Sequence, residues 1–245
     1  MSERIDLIGF DADDTLWDTE KLYRGIETRF THMMTTYDVV SVDPLMHEIE
    51  IANLQYYGYG IKGFIMSLIE TGVALTGGRI SGRDVQTMIE WAKEMQTAPV
   101  RLLAGVQEVV AHLAASYPLM LITKGDLLDQ EVKLTRSGLS QHFRYVEIVS
   151  EKTHASYATI LQRYQINPER FLMVGNSLKS DILPVVALGG RGVHVPAHLI
   201  WEHESVAPPD GERPYAEIER LADLPELITR LLAGPDHERS EESNQ

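Results

Sequence analysis

The chain contains no cysteine among its 245 residues. This absence excludes disulfide bonds, thiolate zinc sites and cysteine nucleophiles. The sequence also lacks a basic surplus, because 36 acidic residues outnumber 22 basic ones and the formal net charge is −14. Nucleic acids are held through their phosphates, so a nucleic-acid partner is not expected. An acidic surface also repels anionic membranes, and we expect no membrane partner.

Long apolar runs are absent as well. No run is long enough to cross a bilayer, and the opening residues MSERIDLIGF lack the pattern of a signal peptide. Apolar residues still make up 44% of the chain, which is enough for a folded core. We therefore expect a cytoplasmic globular protein that consists of one large domain or of a core domain with a smaller appendage.

Five short apolar runs are typical of buried strands. They cover residues 5–10, 119–123, 145–149, 170–174 and 192–195. Amphipathic stretches at 105–116, 126–138, 153–165 and 179–188 predict helices between them. Strands that alternate with helices indicate a parallel sheet covered on both faces. The predicted fold class is a three-layer α/β protein with a Rossmann-like parallel sheet.

The alternation is interrupted between the first and the second strand. Helix-like patterns occur there near 19–37, 43–56, 61–75 and 82–96, with no clear strand run. We predict an all-helical domain over residues 17–98, inserted into a core domain made of residues 1–16 and 99–235. The acidic and polar tail 236–245 is predicted to be disordered, because it has too little apolar surface to bury.

Chemically functional side chains follow four of the predicted strands. In chain order they are Asp11 and Asp13, Thr123 and Lys124, Lys152, and finally Asn176 and Asp181. Ligands of parallel sheets bind outside the carboxyl ends of the strands, so these residues are expected to share one site. Carboxylates at one point repel each other unless a hard cation lies among them. Mg²⁺ suits such a site, because it accepts one or two carboxylates together with water and phosphate oxygens.

The residue types in this set permit phosphoryl transfer. A carboxylate can act as a nucleophile and form an aspartyl-phosphate. A second carboxylate two residues on can protonate the leaving oxygen and then deprotonate water. A threonine hydroxyl, loop amides and a lysine can hold the remaining phosphoryl oxygens. Alone, each residue is more typical of a turn, a helix cap or a solvated charge, and it is their joint order after the strands that indicates a site.

These residues lie in segments that resemble the motifs of a known family. The segment FDADDTLWD resembles the first motif, Asp-x-Asp-x-Thr, of the haloacid dehalogenase-like hydrolase superfamily. LITKGD resembles its second motif, Lys152 occupies the position of the third-motif lysine, and VGNSLKSDI resembles the acidic fourth motif. The helical insertion is similar to the cap domain that many members carry between the first two motifs. The resemblance spans about residues 5–200.

The resemblance implies a role for each motif residue. Asp11 would be the nucleophile and a metal ligand. Asp13 would be the general acid and base, and its backbone carbonyl would also bind the metal. Thr123 and the amide of Lys124 would hold phosphate oxygens, while Lys152 would pair with Asp11 and with the transferring phosphoryl group. Asp181 would be a ligand of Mg²⁺.

The chain departs from the family pattern at one position. Many phosphatases of the family have Gly-Asp at the start of the fourth motif, where this chain has Gly175-Asn176. An asparagine can coordinate a metal through its amide oxygen or order a water ligand, but it removes one negative charge. Asn176 is therefore a possible metal ligand, and metal affinity is expected to be lower. In the cap, the aromatic and glycine-rich segment 56–62 is either a substrate entrance or ordinary cap core.

The expected function is Mg²⁺-dependent hydrolysis of a small phosphorylated metabolite, a phosphate monoester, through a phospho-aspartate on Asp11. A 2-haloacid dehalogenase would also use Asp11, but it has no need for Asp13. A phosphomutase needs both aspartates and must return the phosphoryl group to a sugar. A non-catalytic protein that binds phosphorylated ligands is the alternative outside the enzymes. The protein is expected to be a monomer or a homodimer.

Overall fold

The computed structural model describes residues 4–197, 199, 201–209, 211 and 213–233. Six parallel strands form one sheet in the order β3-β2-β1-β4-β5-β6. The strands are β1 (Leu7–Phe10), β2 (Leu119–Lys124), β3 (Tyr145–Val149), β4 (Phe171–Gly175), β5 (Arg191–His194) and β6 (Ala216–Glu217). In the central register, Ile8 lies opposite Leu119 on one side and Leu172 on the other. The predicted fold class is confirmed.

Helices cover both faces of the sheet, which explains why its inner strands are continuous apolar runs. One face packs on α5 (Val106–Ala114), α6 (Leu127–Ser137) and α9 (Leu224–Ala233), and its core includes Ile8 and Phe10. The other face packs on α7 (His154–Arg163) and α8 (Leu183–Val186), and its core includes Leu7. Side chains of β1 thus alternate between two hydrophobic cores, as the strand geometry requires.

Four helices lie between β1 and β2. They are α1 (Glu20–Thr35), α2 (Asp43–Tyr57), α3 (Ile61–Leu75) and α4 (Gly82–Thr97), and this fully described stretch contains no strand of the sheet. Their apolar faces form a separate hydrophobic core that includes Phe30, Met34 and Leu68. The helical insertion expected from the sequence is therefore present. Its limits at 17 and 98, as the bounds of a domain, stay a prediction.

The structure adds elements that the sequence patterns did not predict. Strand β6 has only two residues, and α9 was not recognised as a helix. The helix expected over 179–188 is instead a π-helical turn, Leu178–Ile182, followed by the short α8. Such wide turns are frequent at functional sites. The tail 236–245, predicted to be disordered, lies outside the described residues.

The sheet order determines where a ligand can bind. Strands β2 and β3 lie on one side of β1 and strands β4 to β6 on the other, so the direction of winding reverses at β1. The crevice at the carboxyl ends of β1 and β4 is the usual ligand site of such sheets. Within the described ranges, no helix is long and apolar enough to span a membrane.

Candidate active site

A cavity of about 180 Å³, open to solvent, lies at the carboxyl ends of the strands. The cap helices α1 to α3 form its opposite wall. Every site residue predicted from the sequence lines it, namely Asp11, Asp13, Thr123, Lys124, Lys152, Asn176 and Asp181. The structure thus brings the four motifs to one place, although it does not test the role of each residue.

Asp11 directly follows β1, and its backbone N–H donates to the carbonyl of Val174 at 2.9 Å. Its carboxylate accepts hydrogen bonds from Lys152 Nζ at 2.5 Å and from Thr15 Oγ1 at 2.7 Å. Burial, opposed by the charge of Lys152 and reinforced by that of Asp181, raises the pKa of Asp11 to about 6. At neutral pH the carboxylate is therefore mostly ionised, the form in which it can attack.

Lys152 joins the first motif to the fourth. Its Nζ also donates to Oδ1 of Asp181 at 2.7 Å, so one ammonium group bridges two buried carboxylates. Burial disfavours the charged lysine, but the two carboxylates outweigh this effect and raise the pKa of Lys152. Asp181 is held further by the backbone N–H of Ser177 at 3.0 Å. Only glycine fits beside it, because a Cβ at Gly175 would lie 2.3 Å from its Oδ2.

The chain turns sharply after Asp13, and the following residue, Asp14, has a positive φ of 60°. Aspartate tolerates this left-handed conformation better than most residues. The Asp13 side chain contacts α6. There its carboxylate accepts bonds from Lys133 Nζ at 2.9 and 3.0 Å and from Gln130 Nε2 at 2.7 Å.

Two donors at the start of the cap also hold Asp13. Trp17 Nε1 and Thr19 Oγ1 each lie 2.7 Å from its Oδ1. Burial favours the neutral acid, but the charge of Lys133 and these bonds outweigh it and lower the pKa of Asp13. In this arrangement Asp13 is an ionised carboxylate held by four side chains. It can donate a proton only after it gains one and leaves Lys133.

Thr123 and Lys124 end β2 at the floor of the cavity. The Thr123 side chain is buried, and its hydroxyl lies 3.3 Å from the carbonyl of Lys124. The Lys124 ammonium donates to Glu204 at 2.5 Å and to Ser180 Oγ at 3.0 Å. Burial opposes it, but Lys124 and the hydroxyls of Ser177 and Ser180 lower the pKa of Glu204 to about 2.

The cap contacts the core across this end of the cavity. Tyr59 places its ring 4.1 Å from Lys124 Nζ and donates its hydroxyl to Glu151 at 2.7 Å. The same ring meets Trp201 edge to face, with centroids 6.1 Å apart. Of the segment 56–62, Tyr59 therefore lines the cavity, whereas Tyr56 is 72% exposed.

The oxygen atoms around Asp11 fit a magnesium ion. Asp11 and Asp181 converge on one ammonium group, and Mg²⁺ needs only one or two carboxylates. Asn176 Oδ1 lies 3.2 Å from Thr15 Oγ1, whose single proton has the shorter contact with Asp11. This leaves the amide oxygen available to a cation or its water ligand. The Asp13 carboxylate points elsewhere, so only its backbone carbonyl could take part.

Sequence reasoning gave no role to four residues that the structure places in the site. They are Thr15, Gln130, Lys133 and Glu204. Thr15 belongs to the first motif and could have been included. The spacing of Asp129 and Lys133 predicts an i, i+4 ion pair on α6, which the structure contains at 3.2 Å. Glu204 lies in a connection without periodicity, and no sequence signal indicated it.

Comparison with known proteins assigns this arrangement to a class. The family model described as haloacid dehalogenase-like hydrolase matches residues 5–189. A haloacid dehalogenase-like hydrolase from Xanthomonas campestris superposes with a TM-score of 0.84 at 41% identity, over 94% of this chain and 92% of that one. The chain belongs to the haloacid dehalogenase-like hydrolases.

Two relatives are named as a nucleotidase and a phosphatase. Pyrimidine 5'-nucleotidase YjjG of Escherichia coli is 25% identical over 88% of this chain and 97% of its own length. Glyceraldehyde 3-phosphate phosphatase of Pyrococcus furiosus is 28% identical over 78% of this chain and 80% of its own. Their different substrates show that the family alone does not define what this protein cleaves.

More distant structures share only the fold. The hydrolase YfnB of Bacillus subtilis, solved with bound magnesium, has a TM-score of 0.64 at 16% identity, over 92% of this chain and 99% of that one. L-2-haloacid dehalogenase of Xanthobacter autotrophicus has the same TM-score at 17% identity, over 92% and 98%. Fold likeness therefore does not separate a phosphatase from a dehalogenase.

Proposed function

We propose that the protein is a Mg²⁺-dependent phosphohydrolase that cleaves a small phosphate monoester through a phospho-aspartate on Asp11. The observation that carries the proposal is the chain of contacts from Asp11 through Lys152 to Asp181, with Asp13 on the same cavity. A nucleophile, a cationic partner and a second carboxylate are the groups that transfer of a phosphoryl group to a carboxylate requires.

In the proposed reaction, Asp11 attacks phosphorus while Lys152 balances charge on the transferring group. Thr123 and the amide of Lys124 orient the phosphoryl oxygens. A magnesium ion held by Asp11, Asp181 and the carbonyl of Asp13 would offset the negative charge of the phosphoryl group. Asp13 leaves Lys133 and takes up a proton from solvent, and then protonates the leaving alcohol oxygen. The carboxylate that this leaves accepts a proton from the water that cleaves the aspartyl-phosphate.

A dehalogenase of the same family is the second candidate, because Asp11 could equally displace a halide. The presence of Asp13 favours the phosphatase. A halide leaves as a stable anion without a proton, whereas an alkoxide needs one. The names of two relatives, a nucleotidase and a phosphatase, support the same choice at low identity. Phosphomutase activity and ligand binding without catalysis are the remaining alternatives.

Phosphate release from a panel of phosphorylated metabolites, with Mg²⁺ and with EDTA, tests the proposal. Halide release from 2-chloropropionate is measured in parallel. We expect phosphate release that needs Mg²⁺ and is absent from Asp11→Asn. Halide release without phosphate release would establish the dehalogenase instead. Action on a small metabolite in the cytoplasm, as a monomer or a homodimer, stays a prediction from the sequence.

A further inference from the structure

The wall of the cavity that the cap forms carries carboxylates without cationic partners. Glu27 of α1 and Glu50 of α2 both line the cavity, and neither has an ion pair or a hydrogen bond among the described residues. Glu20 beside them is paired with Arg24 at 3.1 Å. Besides burial, the acids Glu20 and Asp43 act on Glu27, and Arg24 and His47 act on it in the opposite sense. The groups that act on Glu50 besides burial are the acids Glu27 and Glu20.

Partial burial disfavours the ionised forms of these acids when no ligand is bound. Burial, with the charges of Glu27 and Glu20 next in size, raises the pKa of Glu50 to about 7. Burial and the charge of Glu20 also raise the pKa of Glu27. Carboxylates that face a cavity and lack counter-charges attract a cation into it.

A second, independent feature of the same cavity is a buried hydrogen-bond acceptor that lacks a donor. Gln130 is 2% exposed, and its Oε1 has no hydrogen-bond donor within the described part of the chain. The orientation of this amide is fixed, because its Nε2 donates to Asp13 and to the carbonyl of Lys124. The free acceptor therefore cannot be satisfied by turning the amide over, and a ligand N–H or O–H would satisfy it.

Aromatic rings complete this part of the wall. Tyr23 and Phe64 line the cavity and meet edge to face, with centroids 4.9 Å apart. Burial raises the pKa of the Tyr23 hydroxyl, and the charges of Asp129, Asp13, Glu50 and Glu20 raise it further. Acidic groups next to aromatic faces are the usual surroundings of a bound organic ammonium.

A metal ion matches this wall less well than an organic cation does. Across the described residues, no group of three or more Asp, Glu or His side chains is arranged to hold a metal ion. Around Asp11 a substrate phosphate would supply the missing oxygens. Anionic leaving groups, in turn, would be repelled by Glu27 and Glu50.

We propose that the preferred substrate carries an ammonium group on its alcohol part, bound beside Glu27, Glu50 and Tyr23 while the phosphate lies at Asp11. The substrate class is thus an amino-alcohol phosphate. This inference rests on the proposed phosphatase function and specifies its substrate.

The test uses esters that differ only in the charge of the leaving group. A two-carbon set is 2-aminoethyl, 2-hydroxyethyl and carboxymethyl phosphate, and a three-carbon set is 3-aminopropyl, 3-hydroxypropyl and 2-carboxyethyl phosphate. We expect kcat/KM to be at least about tenfold higher for the ammonium ester than for the carboxylate ester in one of the two sets. Glu27→Gln/Glu50→Gln should reduce that ratio towards one, whereas Glu48→Gln, on the exposed face of α2, should keep it.

A measurement on the unaltered protein covers the case in which the double variant does not fold. Amino alcohols should inhibit hydrolysis of p-nitrophenyl phosphate more strongly than diols or hydroxy acids of equal length. Hydrolysis of p-nitrophenyl phosphate without any preference for ammonium would overturn this inference and leave the phosphatase in place. Release of phosphate from none of the esters would overturn both.

Discussion

The two walls of the cavity differ in whether their charged side chains form ion pairs. On the core wall each of three lysines is paired, Lys152 with Asp11 and Asp181, Lys133 with Asp13 and Asp129, and Lys124 with Glu204. On the cap wall Glu27 and Glu50 have no such partner within the described chain. Paired charges hold reacting groups in place, whereas unpaired charges are available to a ligand. In the proposed function, the core performs the chemistry and the cap selects the substrate.

Replacing the nucleophile should have the largest effect. Asp11→Asn is expected to lower kcat by at least about a thousandfold, because an amide is a poor nucleophile. The fold should survive, since Lys152 keeps its ion pair with Asp181. Phosphate release and circular dichroism of the variant would be compared with those of Asp223→Asn, a surface change near α9. Turnover close to that of the unaltered protein would contradict the role of the core wall.

The effect of removing the second carboxylate on the rate should depend on the leaving group of the substrate. Asp13→Asn is expected to slow phosphorylation by an alkyl phosphate by about a hundredfold, the usual scale of general acid catalysis. The loss should be smaller with p-nitrophenyl phosphate, whose leaving group departs with little help. Single-turnover rates with both esters would be measured side by side. An equal loss with both would mean that Asp13 has a structural role beside Lys133 and donates no proton.

The two possible ligands in the fourth motif should differ in their effect on magnesium. Asp181→Ala is expected to raise the Mg²⁺ concentration needed for half-maximal activity by about tenfold, and by more than Asn176→Ala does. Asp181 offers a charged oxygen and Asn176 only a dipole. Asp181→Asn, which keeps the shape of the side chain, serves as a control for packing beside Gly175. Equal or reversed shifts in the magnesium titrations would show that the ligands are misassigned.

On the cap wall the expected effect is smaller and concerns stability. The folded-state pKa of Glu50 is about 7 against an ordinary value of 4.5, so ionisation of this acid destabilises the fold. Its contribution to the free energy of unfolding should therefore fall as the pH rises from about 4.5 to about 7. Glu50→Gln should be more stable than the unaltered protein at pH 8 by on the order of 1 kcal/mol, and the gain should vanish near pH 4.5.

Urea unfolding at both pH values would check this, with Glu48→Gln as the exposed control on the same helix. A gain that is equal at the two pH values would mean that Glu50 is not buried as an unpaired acid. The comparison of the two walls would then lose its basis on the cap side.

The sequence was most informative where a local pattern of residues is sufficient to determine the secondary structure. Apolar runs ended by functional side chains predicted the inner strands and brought Asp11, Lys152 and Asp181 to one edge of the sheet. The layering follows from burial on both faces. The four cap helices were equally visible in their apolar spacing.

Features that depend on tertiary contacts could not be predicted in this way. Nothing in the local pattern around Lys133 shows that its ammonium reaches Asp13 rather than water. Glu204 lies about 80 residues after Lys124 in a connection without periodicity, yet the two form a 2.5 Å ion pair. The two-residue strand β6 exists only because β5 offers it an edge. The unpaired state of Glu50 likewise depends on what α1 places opposite it.

The central claim is that Asp11 becomes phosphorylated, and an acid-quench experiment tests it most directly. The protein is mixed with Mg²⁺ and a ³²P-labelled phosphate monoester, quenched with acid within milliseconds, and digested. The account predicts label on the peptide that contains Asp11, removed by hydroxylamine and absent from Asp11→Asn. Phosphate release in that variant, or label on a different peptide, would contradict it.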